Sequence, residues 1–270
     1  MDKNELTKNI NRAKHKLNSI LSKYSKSNDT KLNKKANLLS YWLVDYLKMI
    51  EREQSFDPHR LKKYKRGDIL KVNLGFNIGH EEGGLHYAVV VSNTNANSSD
   101  LLTVVPLTSL KTSSKITNYD INLGTTLYDK LTSKLNTESA SLEKTIATYK
   151  KQSIHLKQEI KCLIENTDEN SSEMMVNQKF MHITDKQNEL FKKIDILQKD
   201  IITLQKVQDE LEHMKSGSIA LVGQLTTISK IRIYNPKNTH ESLHGIKLSD
   251  SEMDLIDNKI IELYTKKAKN

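Results

Sequence analysis

Between residues 128 and 215 the apolar side chains return every seventh position, and this constrains the fold more than any other feature of the chain. Leu135, Leu142, Tyr149, Leu156 and Leu163 form one series, with Ile146 and Ile160 at companion positions. The polar run Asn166-Thr-Asp-Glu-Asn-Ser-Ser172 interrupts it. A second series follows, Val176, Ile183, Leu190, Leu197, Leu204 and Leu211, accompanied by Phe180, Ile194 and Ile201. Sustained heptads on both sides of a polar turn predict an antiparallel coiled-coil hairpin. Arms of about 30 residues would be about 45 Å long at the helical rise. Ser153, Gln187 and Gln208 take seam positions, where polar groups weaken packing and can fix register.

On either side of this hairpin the period changes. Ile69, Val72 and Leu74 belong to one short β-rich run, Ala88 to Val91 reads as a strand buried on both faces, and Thr103 to Leu107 is a third. Gly75, Gly79, Gly83 and Gly84 make the connection between the first two a polar, turn-prone loop. Thr117-Asn-Tyr-Asp-Ile-Asn-Leu123 alternates as a fourth strand, ended by Gly124. After the hairpin, Gly217 restarts β structure: Ser218 to Leu225 is apolar and Thr226 to Ile233 continues it. Ser249-Asp-Ser-Glu252 has capping-box spacing and opens a last helix with Met253, Ile256, Ile260 and Leu263 facing inward.

Ahead of all this, Leu6, Ile10, Ala13, Leu17, Ile20 and Tyr24 form a helical stripe. Leu32, Ala36, Leu39, Leu43, Tyr46 and Ile50 form another after the cap-type residues Ser25 to Thr30. Two such helices are not stable alone and need the β structure, the insertion or a second chain. Trp42 reads as core, and Phe56-Asp-Pro58 ends the segment. The formal charge of +9 is unevenly placed: residues 1–66 carry +10, the remainder −1. Nucleic-acid binding accounts for that asymmetry, and so does a lysine-rich solvated helical face. Lys62, Lys63, Lys65 and Arg66, leading into the first strand, either neutralise phosphates or make a soluble linker.

The single Cys162 excludes a disulfide within one chain. Cys162, His155 and His182 lack zinc-ligand spacing, and there is no phosphate-binding Gly-Lys-Ser/Thr loop. No apolar run reaches about 18 residues and no signal-peptide pattern is present, so a cytoplasmic protein without membrane contact is expected.

Several motifs stand in a known order: Arg66-Gly-Asp, the loop Glu81-Glu-Gly-Gly-Leu-His86, Val-Val-Val-Ser92 and Pro106-Leu-Thr108-Ser. Far downstream comes Gly217-Ser218-Ile-Ala-Leu-Val-Gly-Gln224. Together they resemble the MazF/PemK/Kid family of toxin endoribonucleases, over residues 62–127 and 216–265. The resemblance implies an α+β fold: a small antiparallel SH3-like β-barrel of MazF/CcdB/Kid type, here interrupted by the coiled-coil hairpin and preceded by a helical pair. The expected organisation is 1–56 N-terminal helical hairpin, 62–127 first part of the barrel, 128–215 insertion, and 216–270 second part with the C-terminal helix.

The implied reaction is cleavage of single-stranded RNA (mRNA) without metal or other cofactor. The ribose 2′-OH attacks the adjacent phosphorus and leaves a 2′,3′-cyclic phosphate and a 5′-OH. It needs a base, an acid and donors to the phosphorane's negative charge. The family gives this work to an Arg at the end of the glycine loop and to a Thr on the third strand. Thr108 matches; the Arg position is His86, followed by Tyr87. An imidazole shuttles protons better at neutral pH than a guanidinium but is a poorer fixed cation. The swap therefore preserves cleavage with a new pH profile, or marks a chain that binds RNA without cutting it. Glu81 matches the family's loop acid and can orient His86, or is simply solvated.

Gln224, Ser218 and Ser109 match the substrate groove, or are strand-end residues. Phe76 and Tyr87 can stack bases or plug the barrel, and Lys65 and Arg66 can meet phosphates. Where the family carries further charged residues this chain has Thr226 and Ser229, with Lys230, Arg232 or Lys111 as compensating cations. The implied partners are RNA, a cognate antitoxin and a second copy in a homodimer. Two alternatives come from other classes: a catalytically lapsed barrel that binds RNA or protein through its coiled coil, and a DNA gyrase poison.

Overall fold

The computed structural model describes residues 2–111, 116–166 and 173–266. Two helices come first, α1 (Lys3–Ser25) and α2 (Thr30–Glu53), each N-capped by an aspartate: Asp2 accepts from the Asn4 amide and Asp29 from the Lys31 amide. The expected stripes are half used. Ala36 is buried, while Leu6, Ile10 and Ile50 stay exposed.

Seven strands follow: β1 (Ile69–Asn73), β2 (Leu85–Val90), β3 (Leu101–Ser109), β4 (Ile121–Gly124), β5 (Ser218–Ala220), β6 (Thr226–Ser229) and β7 (Ile233–Asn235). Every ladder is antiparallel, in the order β4-β5-β3-β2-β1-β7, and the N-terminal half of β3 also pairs with β6. The sheet path ends at β4 and β7, and no ladder joins these two strands among the described residues. β5 lies between β3 and β4, so strands from both sides of the insertion share one sheet.

The two faces of the sheet have different partners. Strand alternation sends Ile69, Val89, Val105, Leu107 and Ala220 to one side. They pack there with Leu127 and Leu131 of α3 (Thr126–Glu165), Val207 of α4 (Glu173–His213), and Met253 and Ile256 of α5 (Asp250–Tyr264). Leu70, Val72, Ala88, Val90, Leu102 and Val104 face the other side and cluster with Tyr64, Ile228 and Ile233.

The insertion is an antiparallel helix pair, with Lys186 of α4 2.7 Å from Glu159 of α3. Its helices have 40 and 41 residues, longer than expected, and so about 60 Å each. The seam carries both leucine series, but Phe180 is 62% exposed. Gln187 and Gln208 also face outward, and Gln208 bonds Glu212 on the same helix. Near the sheet the inward positions are Val207, Leu211 and Met214 rather than Gln208, because there the helix packs on the sheet core as well as on its partner helix. The polar turn at 167–172 lies outside the described residues.

β4 is shorter than expected. Thr117 to Asp120 form a turn in which the Asp120 carboxylate accepts from the Thr117 amide and hydroxyl, at 3.0 and 2.7 Å. The apolar stretch after Gly217 is likewise broken, by single 3-10 turns at Val222–Gln224 and Lys230–Arg232. α5 has the expected capping box, Ser249 with Glu252. No described helix is long and apolar enough to cross a membrane.

Candidate active site

The loop between β1 and β2 is pinched shut at its root. The Leu74 amide donates to the Gly84 carbonyl at 2.8 Å, and the Gly84 amide donates to the Gly75 carbonyl at 2.6 Å. Gly75 and Gly84 hold φ of +100° and +86°, conformations that only glycine takes without strain. Within the loop, Asn77 Nδ2 donates to the Glu82 carbonyl at 2.7 Å, and the Ile78 amide donates to Glu81 at 3.2 Å. Glu81 therefore caps a turn of the loop.

It is Glu82 that reaches His86, with Oε1 3.0 Å from Nε2. The other ring nitrogen, Nδ1, lies 3.4 Å from the Leu107 carbonyl. A carboxylate only accepts, so the short contact makes Nε2 the donor. A ring with two N–H groups satisfies both neighbours; a neutral ring satisfies one.

The β2–β3 register pairs Tyr87 with Leu107 and Ala88 with Pro106. One step further along it, His86 stands opposite Thr108. Residues opposite one another in an antiparallel pair project from the same face. His86 and Thr108 thus share the face of Pro106, and the Thr108 hydroxyl makes no hydrogen bond among the described residues. Ser109 and its partner Ser218 project from the opposite face, and Ser218 is buried.

Beside this pair opens a cavity of about 730 Å³, bounded by the loop residues Asn77 and His80 to Glu82, by Pro106, by Gln224 to Ile228 and by Arg232. Of this group Glu82 and Pro106 line the cavity; His86 and Thr108 do not, and reach it through Glu82, which contacts His86, and through Pro106, which shares a strand face with Thr108. Gln224 latches the loop from across the cavity: Oε1 accepts from the Glu82 amide at 2.6 Å, and Nε2 lies 3.4 Å from the His80 carbonyl. Arg232 brings the cavity's guanidinium, which also donates to the Asn73 carbonyl at 3.2 Å. Lys230 points away; it is buried and donates to the Ala96 carbonyl at 2.9 Å, and burial lowers its pKa. Lys111 is exposed beyond the end of β3.

The remaining candidates separate by position. Phe76 packs on Trp42 of α2, ring centroids 6.1 Å apart, and Trp42 stacks on Tyr46 at 5.1 Å. Tyr87 lies on the helix-covered face. Its hydroxyl donates to Glu210 of α4, and burial, then that bond, hold its phenol far above the ordinary pKa. Lys71 joins the same carboxylate at 2.5 Å. Arg66 is occupied in the fold, donating to the Val91 carbonyl and to Asp257 of α5. Val91, the residue after β2, is five residues from His86, a strand distance of about 16 Å. Lys65 is exposed at that same far end, while Lys62 pairs with Asp68 at 2.9 Å.

Sequence reasoning missed Glu82. The only available signal was its spacing of four from His86, and its neighbour Glu81 masked it. Among the described residues no group of three or more His, Cys, Asp or Glu side chains is placed to hold a metal ion.

Comparison with known proteins agrees with the motifs of the loop and β3. Residues 65–170 match the family described as PemK-like, MazF-like toxin of type II toxin-antitoxin system. The chain carries a PemK/MazF-like toxin domain over those residues. The matched span runs from before β1 through α3, and stops short of α4 and β5 to β7, which complete the same sheet. No curated protein matches the chain.

Proposed function

We propose that the PemK/MazF-like toxin domain is a metal-independent endoribonuclease that cuts single-stranded RNA in a sequence-selective way, with Glu82, His86 and Thr108 at its centre. The observation that carries this reading is the 3.0 Å contact of His86, which shares a strand face with Thr108, with Glu82, a carboxylate that lines the same cavity as Arg232.

The roles follow from the hydrogen-bonding capacity of each group. The Glu82 carboxylate takes the proton of the attacking 2′-OH, and the 2′-oxygen forms a bond to phosphorus. The bond from phosphorus to the 5′-oxygen breaks as the doubly protonated His86 ring gives that oxygen its Nε2 proton and is left neutral. The Thr108 hydroxyl and the Arg232 guanidinium donate to the phosphorane oxygens. Products are a 2′,3′-cyclic phosphate and a 5′-OH, and DNA is not cut because it lacks the nucleophile. In this reading a histidine with a carboxylate partner supplies the acid, and a distant arginine supplies the fixed cation. Glu81 orders the loop, and Gln224 holds Glu82 in place while presenting its remaining amide capacity to a base. Phe76 and exposed Lys65 remain contacts for RNA outside the reacting link.

The sheet of residues 62–127 and 216–270 is read as an SH3-like barrel of MazF/CcdB type, split by the coiled coil of residues 128–215 and preceded by the helical pair of residues 1–56. The family reading brings a cytoplasmic setting, a cognate antitoxin and a homodimer. Purified full-length protein should cut RNA in EDTA and leave 5′-OH ends. His86→Ala and Thr108→Ala should each abolish cutting, and Glu82→Gln should slow it by about 10²- to 10⁴-fold, with the melting curve unchanged. RNA that is retarded on a gel without new ends would mark a lapsed, RNA-binding barrel. Intact RNA, with DNA broken only when gyrase is present, would mark a gyrase poison.

A further inference from the structure

The helical pair carries a net positive charge, and its cations are almost all unneutralised. Among the described residues the Lys and Arg side chains of α1 and α2 make a single ion pair, Lys48 with Asp45 at 3.9 Å. On α1, Lys8, Arg12, Lys16 and Lys23 are spaced by four, four and seven, which places them on one face. On α2, Lys31 and Lys35 precede Trp42 by eleven and seven residues, again on one face. All six cations are exposed.

This arm is fixed relative to the cavity. Trp42 packs on Phe76 at the root of the glycine loop. Its indole nitrogen is buried without a partner beside Gly75, where a built Cβ would lie 3.3 Å from both that nitrogen and Arg232 Nη1. From there Lys35 is about 10 Å and Lys31 about 16 Å along the helix axis. Lys35 and Lys31 therefore lead away along α2 from the point where Trp42 meets the loop. Unpaired lysines on a solvated helix need no ligand. Lysines in rows on an arm wedged against an RNA-cutting loop match the charge of a polynucleotide backbone.

We infer that the N-terminal helical pair is a phosphate-binding arm, which holds single-stranded RNA on the stretch flanking the link that is cut. This rests on the endoribonuclease reading and extends its substrate to an RNA longer than the cavity alone accommodates. The arm adds sequence-independent affinity and leaves the chemical step to the cavity.

The test uses the full chain and a variant in which Lys16, Lys23, Lys31 and Lys35 are replaced by Gln, which keeps helix propensity. The probes are a pentanucleotide and an oligonucleotide of about 20 residues, both 2′-O-methylated to prevent cutting. For the longer probe the slope of log K against log salt should fall by about 3, at about 0.7 per cation lost on a single strand. Its affinity at about 0.1 M salt should drop about 600-fold. Pentanucleotide binding and the single-turnover rate on a short cleavable RNA should not change. An unchanged slope and affinity for the longer probe would overturn the arm while leaving cleavage standing. Equal losses on both probes would also overturn it, by placing the defect in the cavity. So would displacement of the longer probe by a polyglutamate peptide at equal charge, which would make the arm a site for acidic protein. A wild type that neither binds nor cuts RNA would remove the endoribonuclease reading, and the arm with it.

Discussion

The sharpest division of labour in the site is between two adjacent carboxylates, Glu81 and Glu82, and it can be separated by removing one charge at a time. Glu82→Gln keeps the shape of the side chain. It also keeps an acceptor for His86 Nε2–H, 3.0 Å away in the wild type. What the variant lacks is a base. If Glu82 takes the 2′-OH proton, the single-turnover rate should fall by about 10²- to 10⁴-fold, the usual contribution of a positioned general base and about 3–5 kcal/mol in the barrier. If Glu82 only orients the ring, the amide does that almost as well and the loss should stay within about tenfold. Glu81→Gln is the internal control. Its carboxylate accepts from the Ile78 amide at 3.2 Å and has no contact with His86. Gln can accept the same bond, so the rate should change about twofold at most, since an uncharged acceptor at an exposed turn alters stability by about 0.5 kcal/mol. The assay is cleavage of a 5′-labelled RNA in EDTA with protein in excess, across pH. Equal losses in the two variants, or a larger one at Glu81, would refute the assignment of the base.

Three further expectations rest on separate parts of the structure. Gly83→Ala brings a Cβ to 2.9 Å from the Gly75 carbonyl oxygen and 3.2 Å from the Asn77 amide nitrogen, so the loop must spread. Displacing Glu82 by about 1 Å should slow cleavage about 10²-fold in the same assay. Leu131→Ala, at a fully buried position of α3, should cost about 2–5 kcal/mol in urea unfolding, whereas Phe180→Ala, 62% exposed, should cost less than about 0.5 kcal/mol. His244 has its pKa lowered from 6.5, chiefly by burial and then by Lys62 and Lys134. The unfolded chain therefore takes up its proton first, and stability is full above that value and falls as pH drops below it. Melting temperature should decline on acidification from pH 6.5, and His244→Ala should flatten that decline.

The elements that were legible are those set by local periodicity. The leucine series, the β1 to β3 runs and the Ser249 capping box each carry their own signal, because burial and cap geometry act over a few residues. Gln208 was misplaced for a physical reason: near its root the helix buries Val207 and Met214 against the sheet core, a partner that a seven-residue repeat does not encode. The site was legible in its strands but not in its loop. Two neighbouring glutamates have the same sequence signature, and the direction of each is decided by the Gly75–Gly84 pinch and by Gln224, 142 residues away from Glu82. Arg66 shows the same limit, since its carboxylate partner Asp257 lies 191 residues downstream. The opposite facing of Thr108 and Ser109 was implicit in strand alternation. That rule separates a hydroxyl beside His86 from one beneath the helices.

The two faces of β2 also determine what the helix pair is for. His86 projects toward the loop and cavity, while the next residue, Tyr87, projects toward α4 and bonds Glu210, the carboxylate that also holds Lys71 of β1. At its root the insertion is therefore part of the fold. Leu127, Leu131 and Val207 lie in the sheet core, and Lys134 donates to the Ser242 and His244 carbonyls at 3.0 and 2.7 Å. Replacing the pair by a short linker would strip the apolar cover from the helix-covered face and release the brace one residue from His86. Farther out the helices grip each other, as Lys186 does Glu159, with Leu156 and Ile183 buried in the seam. A shortened pair that keeps the root can therefore leave the proposed cleavage site intact, so any role of the insertion beyond bracing belongs to its outer part.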